Sequence, residues 1–238
     1  MVTADPVDPL EHVDVEHRLV DHLRSWVGDW PPPPAGVHVV GDRSRLEPTW
    51  DGSVRLLQGV GDGHGVVIAV PPHAVGAVSD ALSDGLDRQG LGDELGEILG
   101  VGRAAFGAGV FRSTAEVDPT IAELGEWFEQ QTDELPEWLA PFNGPRLVAR
   151  GDDGRPVAGV GIKIHDRYGY ELAVVTDEAA RGRGFARRLV ATAARWVLDQ
   201  GAVPTYLHEP SNVASARVAE SVGFHDRGWT VHGLWPRR

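Results

Sequence analysis

Apolar residues Leu10, Val13, Leu19, Val20, Leu23, Trp26 and Val27 recur near i, i+3, i+4 spacing and predict an amphipathic helix over 8–27. Pro31 to Pro34 end it and form a stiff connector. Short apolar runs predict strands at 37–40, 53–58 and 65–70, the last being GVVIAV, and Pro71-Pro72 open a helix over 72–83. Residues 84–103 are Gly-rich and acidic and read as a junction.

The second half is more strongly patterned. A strand is predicted at 104–112, then a helix from Pro119 to 131 through Ile121, Leu124, Trp127 and Phe128, and a short helix over 134–141. Strands follow at 146–150, 156–165 and 170–176, the last two joined by a hairpin turn at Asp166-Arg167-Tyr168-Gly169. A long helix runs over 184–200 and is stopped by Gly201. VPTYLH at 203–208 is a strand, 212–222 a helix ended by Gly223, and 224–234 a last strand or hairpin. This order predicts an α/β (α+β) chain: a mixed sheet with helices packed on it, preceded by a smaller α/β region over 1–100.

The composition, 42% hydrophobic and 24% charged over 238 residues, suits one large globular domain or two small ones. There is no cysteine, which removes disulfides, thiolate nucleophiles and Cys-based metal sites from consideration. The opening MVTADPVDPLEHVDVEHR has no basic n-region and no apolar h-region, and no apolar run approaches the ~18–20 residues of a membrane span. A cytoplasmic protein without a membrane partner is the expectation. The net charge of −13 argues against nucleic-acid binding, and the acidic excess is concentrated in residues 1–100. His12, His17 and His22 miss the i, i+4 spacing of a helical metal pair and are expected on the solvated surface; no metal site is expected.

Against that acidic background, 179–198 holds five arginines (181, 183, 187, 188, 195) and no acidic residue. A strand ends at Thr176, a tight loop carries Arg181-Gly182-Arg183-Gly184, and a long helix starts at once. Unpaired N–H groups at a helix N-terminus, with glycines that let a ligand approach, form an anion site. A plain turn with a solvated basic helix face is the competing reading. A dinucleotide fingerprint fits less well, since Arg187 stands at the sixth position and no acidic residue ends a following strand. A Walker loop would need Gly-Lys-Ser/Thr, which is missing.

The segment resembles the GNAT superfamily of acyl-CoA-dependent N-acyltransferases. That family's motif, Arg/Gln-x-x-Gly-x-Gly/Ala, matches Arg181-Gly182-Arg183-Gly184-Phe185-Ala186 at every fixed position. A second family signature matches Asn212-x-x-Ser215 followed by Gly223-Phe224. The resemblance covers roughly 104–238 and implies a mixed, mostly antiparallel sheet with helices on both faces. Residues 1–100 are either a degenerate half of the same fold or an added acceptor-side region.

What the resemblance implies can be carried over residue by residue. The strand before the motif is bulged and splayed from its neighbour, and Val174, Val175 and Thr176 pair with the pantetheine arm of acetyl-CoA. Arg181, Gly182, Arg183, Gly184, Phe185, Ala186 and Arg187 hold its pyrophosphate. Asn212, with Ser215, meets the pantetheine arm; Asn212 can equally be a helix N-cap. Many members carry a general-acid tyrosine four residues before the Gly-Phe glycine, where this chain has Ala219. Tyr206 and His208 on the adjacent strand are substitutes to consider.

The implied activity is acetyl transfer from acetyl-CoA to a primary amine of a small molecule or peptide, with a backbone N–H near Val175 polarising the carbonyl. The alternative is a non-catalytic acyl-CoA-binding module, and a homodimer is compatible with either. Glu171, the only carboxylate of its strand, is the candidate base, with a pKa expected to be raised by partial burial. A strand glutamate paired with Arg167 or facing solvent is the competing reading, and Asp166 and His165 are the next candidates for the base.

Overall fold

The computed structural model describes residues 14–237. The start of the first predicted helix, with Leu10, His12 and Val13, lies outside the described residues. Helix α1 spans Val15–Val27, with the Asp14 carboxylate accepting from the Glu16 N–H at its start and left-handed Gly28 at its end. Its inner face buries Leu19, Leu23, Trp26 and Val27. It also buries His22, which is 0% exposed and bonded through Nδ1 to Asp166 Oδ2 at 2.9 Å. The expectation of a solvated histidine there was wrong: a carboxylate on a distant turn engages Nδ1, and Nε2 is buried without a hydrogen-bond partner among the described residues. His17 is exposed.

Strands β1 (Val37–Gly41), β2 (Gln58–Gly61), β3 (Val66–Val70), β4 (Ala104–Ser113), β5 (Glu126–Phe128), β6 (Arg146–Arg150), β7 (Pro156–Ile164), β8 (Gly169–Thr176), β9 (Val203–His208) and β10 (Thr230–Pro236) form one sheet. Its order is β1-β3-β2-β10-β4-β9-β8-β7-β6-β5. Neighbours are antiparallel except β1 with β3 and β8 with β9. Strand β10 joins the two ends, pairing with β2 on one side and β4 on the other.

Helices cover both faces. On β3, Val67 and Ala69 meet α1, while Ile68 and Val70 meet α2 (Val75–Leu82) and α3 (Leu91–Ile98), as strand alternation requires. Helices α4 (Phe185–Asp199) and α5 (Val213–Val222) bury the largest core against Leu147, Val160, Ile162, Leu172 and Tyr206.

Four elements differ from the sequence expectation. Over 53–58 the chain turns tightly around an Asp51–Arg55 ion pair at 2.8 Å, with only a Pro48–Val54 bridge before β2 begins at Gln58. The 84–103 junction contains α3, whose Leu91, Leu95 and Leu99 are buried. Its glycines serve close packing: a Cβ on Gly92 would stand 2.6 Å from the Ala104 carbonyl oxygen, and one on Gly96 would collide with the Gly102 carbonyl.

The predicted helix at 119–131 is an extended strap ending in β5. Three residues on one face of α4 take over its backbone hydrogen bonds. Arg188 donates to Ala122 and Glu123 carbonyls, Arg195 to those of Asp118 and Ile121, and Thr192 Oγ1 accepts from Leu124 N–H at 3.1 Å. The predicted helix at 134–141 is reduced to a short turn over Glu137–Leu139. There the buried Arg146 guanidinium collects the carbonyls of Glu129, Leu139, Ala140, Phe142 and Gly144.

Candidate active site

Strands β8 and β9 pair only at Gly169–Val203, Tyr170–Pro204 and Glu171–Thr205. Beyond Glu171 they part, β8 staying with β7 and β9 with β4. The result is a fork. Its peptide groups follow from alternation: Asp177 N–H bonds the Val157 carbonyl, and Val203 N–H bonds the Tyr168 carbonyl. Residues 173, 175 and 177 therefore direct their N–H and C=O toward β7, and Leu172, Val174 and Thr176 direct theirs into the fork. The Val175 side chain is 45% exposed, but its N–H faces β7, so the fork-facing donor beside it is Val174. The expected bulge is missing from β8, whose register with β7 is unbroken from Tyr170 to Thr176. Thr176 Oγ1 is buried without a hydrogen-bond partner.

A short turn at Glu178–Ala180 leads to the glycine loop. Gly182 (φ 76) and Gly184 (φ 79) are left-handed, and a Cβ on either would face open space. No side chain caps α4, so the N–H groups of Phe185, Ala186 and Arg187 precede its first internal bond, Arg188 N–H to the Gly184 carbonyl. Arg181, Gly182, Arg183, Gly184 and Arg187 are exposed around this cradle. Arg183 lies over the Phe185 ring, and Arg187 Nε donates to the Ser221 carbonyl of α5 at 3.3 Å. Arg188 and Arg195 are held by the strap, so the arginine bias of 179–198 is partly structural. An orphaned threonine hydroxyl, open glycines and an uncapped basic helix start are a donor set that fits a phosphate-bearing thioester.

Asn212 caps α5: its Oδ1 accepts from Ser215 N–H at 3.0 Å, and among the described residues its Nδ2 has no hydrogen-bond partner. Ser215 Oγ lies 2.9 Å from the Tyr206 hydroxyl, and Tyr206 is 1% exposed, its pKa raised by burial. Ala219 packs in the same core. His208 has both ring nitrogens engaged. Arg112 Nε donates to Nε2 at 3.1 Å, so Nδ1 carries the proton and donates it to the Glu209 carbonyl at 2.9 Å. That geometry removes His208 from the candidate acids and bases.

Glu171 projects from the other face of the sheet, away from α4. It is buried, and both oxygens are occupied: Lys163 Nζ donates to Oε1, and His165 Nε2 lies 3.0 Å from Oε2. Arg167 is not its partner. Burial alone would push the Glu171 carboxyl up, but the Lys163 ammonium and the His165 N–H outweigh it and hold it at about 2. The expected rise does not occur. His165 is pushed below the ordinary histidine range by burial, against the pull of Glu171, and stays neutral near pH 7; among the described residues its Nδ1 makes no hydrogen bond. Asp166 is occupied by His22 and by the N–H groups of Tyr168 and Gly169.

A cleft of ≈1030 Å³ opens against Lys163, His165 and Glu171. Its other walls include Trp26 of α1, Arg45, Trp50 and Arg55 from the loops before β2, Glu209 beyond β9 and Trp235 of β10. Sequence reasoning missed all of these. The Lys163–Glu171 pair was within reach, because a turn at 166–169 sets those residues opposite each other across the hairpin. Among the described residues no helix is long and apolar enough to cross a membrane, and no cluster of three or more His, Asp or Glu side chains could hold a metal ion.

Residues 111–224, a little under half of the chain, match the model of the acetyltransferase (GNAT) family. No curated protein matches the chain significantly. Among solved structures, a GNAT-family protein from Novosphingobium aromaticivorans is 22% identical over 56% of this chain and 66% of its own, with a TM-score of 0.45. A GNAT-family acetyltransferase from Colwellia psychrerythraea is 14% identical over 55% and 57%, with a TM-score of 0.44. A GCN5-related N-acetyltransferase-like protein from Streptococcus suis is 18% identical over 72% and 71%, with a TM-score of 0.45. The chain thus spans less than two thirds of the length of the first two.

Proposed function

We propose that the chain is an acetyl-CoA-dependent N-acetyltransferase acting on a primary amine by direct attack. The observation that carries the reading is the fork, with three peptide groups turned into the gap, the glycine cradle just downstream and the cleft against the opposite face. Acetyl-CoA supplies a thioester whose carbonyl carbon the unprotonated amine attacks, a C–N bond forming as the C–S bond breaks.

The chain's own residues bind, orient and move the proton. The uncapped N–H groups of α4, with Arg181, Arg183 and Arg187, hold the pyrophosphate, and Gly182 and Gly184 let it approach. The fork edge of Val174 and Thr176 pairs with the pantetheine arm as an added strand would, and Val175 lines its side. Asn212 Nδ2 and the Ser215 region meet the same arm. The Val174 N–H polarises the carbonyl oxygen.

An alkyl amine arrives as an ammonium, with a solution pKa of ~10. His165 Nδ1 on the cleft wall accepts its proton, while Glu171 holds the ring in the tautomer with the proton on Nε2 and stabilises the imidazolium. Glu171 is thus a positioning residue. The thiol product has a pKa near ~8.5, so its sulfur leaves as the anion and takes its proton from solvent, which accommodates Ala219. Residues 1–100 supply the acceptor-side wall, and 104–238 the donor side; Arg45, Trp50 and Arg55 on the cleft support that division.

Calorimetry with acetyl-CoA and a thiol-release assay over an amine panel test the reading. Binding with amine-dependent thiol release supports it. Binding without turnover for any amine favours the non-catalytic acyl-CoA-binding module, the reading that Ala219 speaks for. No binding of acetyl-CoA sinks both.

A further inference from the structure

The cleft's charges are nearly all matched. Lys163 is paired with Glu171, and Arg55 is held by Asp51 at 2.8 Å. Two charges are left over. Arg45 is 6% exposed, and its closest carboxylate oxygen, on Asp42, stands 3.8 Å from Nε. Asp42 is itself engaged by the N–H and hydroxyl of Ser44. Among the described residues Arg45 otherwise donates only to Ser44 Oγ, through Nε and Nη2, and its Nη1 makes no hydrogen bond. A buried guanidinium with a free edge and a long ion pair is costly unless an anion completes it, and its planar fork suits a carboxylate. The second leftover charge is the exposed Glu209 carboxylate, which has no cationic partner among the described residues and stands just past β9, the strand bordering the fork. Between the polar walls lie apolar surfaces: Trp235 is 55% exposed, Val54 is 47% exposed, and the Trp50 ring sits under both Arg55 and Lys163.

We infer that the acceptor is a small zwitterion of the amino-acid type with an apolar body, whose carboxylate docks on Arg45 and whose ammonium is drawn toward Glu209 at the fork. This rests on the N-acetyltransferase reading and names its substrate class. An acidic protein would be expected from net charge alone to prefer purely cationic amines; the buried arginine reverses that preference inside the cleft.

Matched acceptors test the inference on the full chain. L-phenylalanine and L-tryptophan are compared with 2-phenylethylamine, tryptamine and L-phenylalaninamide, which lack the carboxylate. The expected result is a ~10- to 100-fold higher kcat/KM for the carboxylate-bearing members. Arg45→Gln should remove that advantage by raising KM for the carboxylate-bearing acceptors, with acetyl-CoA affinity measured by calorimetry unchanged. Arg45→Lys, which keeps the charge, should retain part of the preference and serves if the glutamine variant fails to fold. Equal or better use of the decarboxylated amines overturns the inference, as does a folded Arg45→Gln protein with the ratio intact. Acetyl-CoA binding without acetylation of any panel member also overturns it while leaving the donor site standing. Failure to bind acetyl-CoA overturns the underlying reading instead.

Discussion

His165 Nε2 stands 3.0 Å from Glu171 Oε2, while Lys163 occupies the other oxygen of the same carboxylate. This places a neutral ring between a cleft and a fixed negative charge. Activity should therefore rise with pH through an acidic limb set by His165, below the ordinary histidine range because burial disfavours its charged form. Glu171 favours the charged ring, so Glu171→Gln should move the limb to lower pH and cut kcat by ~10²–10³ with acetyl-CoA affinity unchanged. Lys163 disfavours the charged ring, so Lys163→Met should move the limb to higher pH. A pH–rate profile of each variant checks both signs; complete loss of the limb in Glu171→Gln would identify Glu171 itself as the base.

At the glycine loop, backbone strain and ligand access can be separated. Gly184 needs a left-handed φ of 79°, yet a Cβ there meets nothing. Gly184→Ala should cost ~1 kcal/mol of stability from the backbone alone and still bind acetyl-CoA. Gly184→Glu should carry a similar cost and abolish binding, since its carboxylate would sit where phosphate approaches. Arg181→Ala should weaken binding less. Urea unfolding and calorimetry on the three variants give the two readouts.

Calorimetry should also return one acetyl-CoA site per chain. In the N-terminal region the parallel pair β1 and β3 stays in register from Val37–Val66 to Gly41–Val70, with no fork. The chain then enters α2 through Pro71 and Pro72, without an arginine-bearing glycine loop. Two equivalent sites would contradict this.

Arg112 is a stability prediction. It is 6% exposed and donates to His208 Nε2, Glu220 and the Phe224 carbonyl at 3.1, 2.8 and 2.9 Å. Arg112→Met leaves the ring nitrogen and the carbonyl in the interior without a donor. A loss of ~3 kcal/mol is expected, read as a lower urea midpoint with an unchanged slope.

The strand–glycine loop–helix unit was legible in sequence because its signals are local: a hydrophobic run, glycines that need positive φ, and a helical period. The strap at 118–124 was not. Ile121, Leu124, Trp127 and Phe128 carry helical spacing, but Arg188, Thr192 and Arg195, far along the chain, supply the hydrogen bonds a helix would have made for itself. The N-terminal wall of the cleft was hidden for a related reason. Arg45 lies in a single short turn of 3-10 helix and Trp50 in the loop after it, and no periodicity in either encodes that β10 brings the N-terminal strands beside β4. Glu171 could be singled out from its strand, but its low pKa depends on a lysine and a histidine brought beside it by the hairpin.

Strand β10 follows every other described strand in the chain, yet it sits in the middle of the sheet, Gln58 pairing with Gly233 and Val110 with Thr230. During synthesis, the facing edges of β2 and β4 are therefore made long before the strand that seals them. Such non-local closure is slow, and until it happens the nascent chain presents two open hydrogen-bonding edges of the kind that recruit other chains. The cleft is also unfinished in that interval, because Trp235 and the docked position of the N-terminal wall both arrive with β10. Closure of the cleft is thus a late event, and a chain cut short before Thr230 would contain β8, the glycine loop and β9 without the wall that Trp235 supplies.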